Sequence, residues 1–176
     1  MNRGMLILLL LVLNLMAWTT VRELNHVLAP LRIFLHLEVL LILIPALYLK
    51  TLPGFILAMG TGMLIGASRP FPIEASVIMI MGLWVSGIWM RGRIRRENFR
   101  HLAGFAAGLQ LCLLLILSIV LYPEGGGSLG IYLERLVVDG LCSAAMLAFA
   151  APLWTRFQVR LLENFGWNLD AEITRN

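Results

Sequence analysis

The sequence predicts an all-α fold: a polytopic integral membrane protein built as a six-helix transmembrane bundle, with both termini in the cytoplasm. Three observations predict it. Of the 176 residues, 60% are hydrophobic and only 14% charged, with a mean hydropathy of +0.86. Soluble domains run at about 45–50% apolar and about 25% charged, and a chain this long still exposes roughly a third of its surface when folded. The apolar residues fall in continuous runs of helical-span length, not in the alternating pattern of barrel strands. Finally, the basic residues collect on one side of those runs. A water-soluble enzyme, a disordered chain and a disulfide scaffold are excluded; Cys112 and Cys142 lie inside apolar runs and form no zinc or disulfide framework.

The first span covers residues 4–21, with Trp18 as an interfacial anchor. A cleaved signal peptide would use Arg3 and Met5 to Leu13, but the following NLMAWTT contains no small-residue cleavage pattern. The second span, residues 33–49, is interrupted only by Glu38, and the third, 51–68, follows after Lys50 alone. These two form either a tight hairpin or a re-entrant pair, and Pro53 suits the first turn of the third. Arg69, Pro70, Phe71 and Pro72 make a rigid outer connection to the fourth span, 75–90, where Trp84 and Trp89 read as anchors. The basic loop RGRIRRENFRH leads to the fifth span, 102–123, and the glycine-rich turn PEGGGSLG to the sixth, 136–155. Residues 1–155 thus form the six-span domain and 156–176 a cytoplasmic tail. In that tail Phe157, Leu161, Leu162 and Phe165 lie opposite Arg156, Arg160 and Glu163, as in a short amphipathic interfacial helix or a continuation of the span.

Orientation follows from Lys and Arg. Arg3, Lys50, Arg91, Arg93, Arg95, Arg96, Arg100, Arg156, Arg160 and Arg175 fall on one side; Arg22, Arg32, Arg69 and Arg135 on the other. Ten against four places both termini and the arginine loop in the cytoplasm. The ordinary role of Arg91, Arg93, Arg95, Arg96 and Arg100 is a positive-inside anchor; anionic lipid or partner contact is the alternative. Nucleic acid is a poor fit, with Phe99 as the loop's one aromatic residue and no folded platform.

Intramembrane ionisable groups are functional candidates, because a charge there costs a few kcal/mol or more. Glu38 and Asp139 are the candidates here. His36, two residues before Glu38, does not face it on a helix, whereas Arg135 is spaced to pair with Asp139. No metal, cofactor, nucleophile–base or aspartate-pair pattern is present, so no enzyme is expected. Small residues four apart remove bulk from one helix stripe. Gly60, Gly62 and Gly66 in the third span and Gly104 and Gly108 in the fifth therefore mark close helix packing, within the chain, in a homodimer or against a partner helix.

Residues 35–90 carry a family resemblance. The leucine-rich HLEVLLILIPALYLK, the glycine-rich GFILAMGTGMLIGAS, the outer turn RPFPIEA and a fourth span ending in a basic loop resemble the bacterial rod shape-determining MreD family. Pro152, Trp154, Arg156, Phe157 and Arg160 are similar to that family's C-terminal end. The aspartate common near the end of its third span has no counterpart here before Glu74. The resemblance implies a non-enzymatic component of the bacterial inner membrane, supporting cell shape and peptidoglycan synthesis. It would bind the bitopic scaffold MreC and link the wall-elongation complex to cytoplasmic filaments. Two other classes fit the span count. One is the substrate-binding subunit of an energy-coupling-factor vitamin transporter, drawing on Glu38, Arg69, Glu74, Glu134 and Asp139. The other is a proton-coupled carrier using Glu38 or Asp139.

Overall fold

The computed structural model describes residues 3–68, 72–94, 98–125 and 129–167. They form six α-helices: α1 (Arg3–Leu28), α2 (Glu38–Leu47), α3 (Thr51–Ala67), α4 (Ile73–Met90), α5 (Phe99–Gly125) and α6 (Leu129–Asn164). No strand occurs among the described residues. Four of the helices, α1, α4, α5 and α6, are long and apolar enough to cross a membrane; α2 and α3 are apolar but shorter.

Each boundary has a local cause. Residues 22–28 hold no helix breaker, so α1 runs past its apolar stretch and His26 sits on its last turn, not in the loop expected from hydropathy. The helix tightens into a 3-10 turn at Ala29–Leu31, where Pro30 cannot continue the ladder, and Arg32 reverses the chain with φ 58°. At the far end α6 closes on Gly166, whose φ of 76° suits a residue without Cβ. There the Trp167 amide donates to Leu162 O at 3.0 Å and the Gly166 amide to Glu163 O at 2.8 Å, satisfying two terminal carbonyls.

The helices alternate in direction. Asn25 of α1 reaches Leu35 and Asn14 reaches Leu41, so α1 and the following segment are antiparallel. Gly62 and Gly66 of α3 lie against Val77 and Ile73 of α4, and the Tyr132 hydroxyl of α6 donates to Ser118 O of α5. Lys50, Arg91, Arg93, Arg100, Arg156 and Arg160 consequently gather at one end of the bundle. Arg91 donates to Leu49 O at 2.8 Å, and the Arg156 guanidinium lies over the Phe99 ring. Arg69, Arg95, Arg96 and Arg175 lie outside the described residues.

All ten residues of α2 are buried. A helix apolar on every side has to be enclosed, and α2 is the axis: α1, α3 and α4 pack on one side, and the α5–α6 pair meets them chiefly through it. Of the two readings of residues 156–165, the helix follows the continuation of the span. The stripe Leu147, Ala151, Thr155, Gln158 and Leu162 stays buried along one face of α6, and the helix is unbroken through Pro152 to Asn164. Leu162 packs with Leu6, Leu10 and Leu49, which docks this stretch onto the bundle. Residues 168–176 lie outside the described residues. Two expected anchors are likewise interior struts: the Trp18 indole donates to Ser68 Oγ at 2.7 Å and the Trp84 indole to Pro45 O at 3.3 Å. Trp89 is exposed beneath Arg93, as an anchor would be.

Candidate functional site

The second apolar segment departs most from its sequence reading. Of the expected helix over 33–49, only Glu38–Leu47 is helical; residues 33–37 have no regular structure of their own. Apolar surroundings offer these backbone groups no water, so each needs a partner within the protein. Long-range side chains supply them. The Phe34 amide donates to Asp139 Oδ1 at 2.9 Å and the His36 amide to Ser143 Oγ at 2.9 Å, both on α6. Between them, Leu35 exchanges two bonds with the Asn25 amide of α1, at 2.7 and 2.8 Å. Bonding that alternates between α6 and α1 is the mark of an extended chain. At the start of α2 the Val39 amide donates to Gln110 Oε1 at 3.3 Å.

The C-terminal half of α2 is held in the same way. Pro45 has no N–H, so the Leu41 carbonyl loses its helical donor; Asn14 Nδ2 takes its place at 3.1 Å and also bonds Thr61 Oγ1 at 2.9 Å. Trp84 and Arg91 satisfy the carbonyls of Pro45 and Leu49. Gly54 makes the first of these possible, since a Cβ there would stand 2.5 Å from Pro45 O and 3.0 Å from the Trp84 indole nitrogen. Seven side chains from four helices therefore clasp one short, irregular, buried segment. Asn14, Asn25, Gln110, Ser143 and Pro45 were not singled out from sequence. For all but Asn25, which stands among Arg22, Glu23 and His26, the signal was an uncharged polar residue, or a helix-breaking proline, isolated within an apolar run.

The predicted ionisable residues meet here, with changed partners. Glu38 is fully buried and accepts from Gln110 Nε2 at 3.1 Å. His36 lies 3.6 Å from Glu38, contrary to the expectation that the two point apart. That expectation assumed a helix, whereas His36 lies outside α2 and Leu37 between the two has φ −123° and ψ 25°, which is not helical. The expected Arg135–Asp139 pair is also corrected: Asp139 accepts from the Phe34 amide, and Arg135 lies over the Phe34 ring.

The glycines divide into two sets. Gly62 and Gly66 are filled spaces: an added Cβ would come within 2.8 Å of Val77 Cα or 2.9 Å of Ile73 Cα. Gly60 lies against Leu11 of α1. The third-span glycines thus pack within the chain and are not open to another helix. Gly104 and Gly108 are exposed on α5, with nothing within 4 Å of an added Cβ. They take no part in intrachain packing.

A groove of about 390 Å³ opens between α1 and α6, floored by Leu37 and Leu40 and lined by groups such as Met16, Ala17, Ala150 and Trp154. Of the residues that a vitamin pocket was expected to use, the described ones, Glu38, Glu74, Glu134 and Asp139, do not line it. Comparison of the chain with protein-family models, curated proteins and solved structures returned no significant match.

Proposed function

We propose that this chain is a non-enzymatic, six-crossing component of the bacterial inner membrane that docks a bitopic MreC-like partner for the cell-elongation machinery. The observation that carries the reading is the outward-facing Gly104–Gly108 stripe on α5. Two small residues four apart on an exposed apolar helix let another helix approach closely. Leu111 and Leu115 continue the same exposed face. Most polar side chains around the second segment bond the chain's own backbone, which favours surfaces as the means of action. The likeness of residues 35–90 to the MreD family points the same way. The alternating helices and the basic end support six crossings with both termini in the cytoplasm. Anionic lipids and cytoplasmic partners are the proposed contacts of the arginine loop.

Replacing Gly104 and Gly108 by leucine tests this. Both variants are expected to insert and melt as the parent does, because the new side chains meet nothing in the chain. Recovery of a coiled-coil bitopic partner and wall synthases after mild-detergent extraction is expected to fall at least about tenfold, the loss of close packing exceeding about 1.4 kcal/mol. Unchanged recovery would sink the docking face, and loss of self-association alone would assign the stripe to a homodimer. Recovery of a bound vitamin with an ATPase pair would make the chain a transporter subunit.

A further inference from the structure

The two flanks of the bundle differ in apolar height. On α6, exposed apolar residues run from Val137 to Phe157, about 30 Å at about 1.5 Å per residue. The hydrocarbon core of a bilayer is about 30 Å thick, so this flank matches it. The α3–α4 flank, across α2 from it, is shorter. Helix α3 has 17 residues between Lys50 and Ser68, about 26 Å. In α4 the exposed Glu74 and Arg91 bracket the apolar residues 75–90, about 24 Å. Trp89, exposed beneath Arg93, marks the interface at the lower end of that stretch.

A helix too short for its bilayer is accommodated by snorkelling side chains, by oligomerising or by thinning of the lipid. The fixed ends of this flank favour thinning. Helices α3 and α4 meet backbone to backbone at Gly62 and Val77 and again at Gly66 and Ile73, so neither slides along the other. At one end the Arg91 guanidinium is held by Leu49 O at 2.8 Å. At the other, Ser68 Oγ accepts from the Trp18 indole at 2.7 Å and donates to Ile65 O at 2.8 Å. Glu74 has a short side chain with little reach toward water. Tilting the pair would only reduce its height.

We infer that the α3–α4 flank thins the bilayer beside it by about 4–6 Å, the difference between its height and the core thickness, and takes short-chain phospholipids as its lipid neighbours. The α6 flank leaves the bilayer at its ordinary thickness, so the chain tapers the membrane from one side to the other. The inference rests on the reading of α3 and α4 as membrane crossings.

Thermal unfolding of the full chain in vesicles of dimyristoleoyl, dipalmitoleoyl, dioleoyl or dieicosenoyl phosphatidylcholine tests this, because the four differ only in chain length. The parent is expected to melt highest in one of the two shorter lipids and about 5 °C lower in the dieicosenoyl lipid. Glu74→Leu joins Ile73 to the apolar stretch of α4 and should move the optimum to a longer lipid. Glu74→Gln keeps a polar boundary and should keep the parent's optimum. A general loss of stability lowers all four melting temperatures together, so the position of the optimum is the readout. An inserted parent that melts equally in all four lipids, or highest in the dioleoyl or dieicosenoyl lipid, would overturn the inference. An optimum unmoved by Glu74→Leu, or moved as far by Glu74→Gln, would overturn its assignment to this flank. A chain that carbonate extracts from all four vesicles would overturn the membrane-crossing reading, and the inference with it.

Discussion

Gly62→Leu is expected to abolish the folded bundle. The α3–α4 contact is a meeting of backbones: an added Cβ at Gly62 lies 2.8 Å from Val77 Cα, and one at Gly66 lies 2.9 Å from Ile73 Cα. No flexible side chain can swing aside, so the whole of α4 has to move. Overpacking a well-filled core costs about 1–3 kcal/mol for a few added methylenes, and leucine adds four carbons against main chain. The displacement reaches Trp84, and with it the bond that caps Pro45 in α2. Gly62→Leu and Gly66→Leu should therefore be recovered as aggregate after detergent extraction. Gly82→Leu, also on this pair of helices but facing open space, should elute and melt as the parent does. Equal melting of Gly62→Leu and Gly82→Leu would refute the packing argument.

The second large effect is expected at Gln110. Its amide group bonds both ways, accepting from the Val39 amide and donating to the Glu38 carboxylate, and both side chains are fully buried. Leucine at this position strands the Val39 N–H and removes a donor from a buried acid. An unmet buried group costs about 1–3 kcal/mol and an ionised one more, so Gln110→Leu should lower stability by about 3 kcal/mol. Glu38→Leu alone leaves the Gln110 amide without its acceptor. The double variant removes both halves of the bond and should be more stable than the sum of the single losses by about 1–2 kcal/mol. Thermal melting of the four proteins measures that coupling. Strict additivity would mean that the 3.1 Å contact contributes nothing to the fold.

These residues also mark where the sequence stopped being informative. Helices α3 and α4 were legible to within a few residues, because Pro53, the proline-rich outer turn and the charges at Lys50 and Arg91 all punctuate the chain locally. Residues 33–37 were not. An apolar run has the same composition whether it is a buried helix or a buried extended strand. What decides between them is Asn25, Gln110, Asp139 and Ser143, three of them more than 70 positions away in sequence. Glu38 and Asp139 were visible as costly residues, but their partners depended on that undetected backbone change. The glycine spacing was visible too, yet spacing is the same for a stripe pressed against Val77 and one facing outward. Only the packing separates Gly62 from Gly108.

The buried polar cluster holds the fold, and the docking proposed for this chain lies on the outer face of α5. Glu38→Gln tests this division most directly, because the amide keeps an oxygen for Gln110 to bond while removing the acid and turning its second oxygen into a donor. In cells lacking the native chain, recovery of the bitopic partner by Glu38→Gln is predicted to equal that of the parent. A Glu38→Gln protein that is inserted, folded and equally abundant, yet recovers no partner, would contradict the claim and assign Glu38 a role in function.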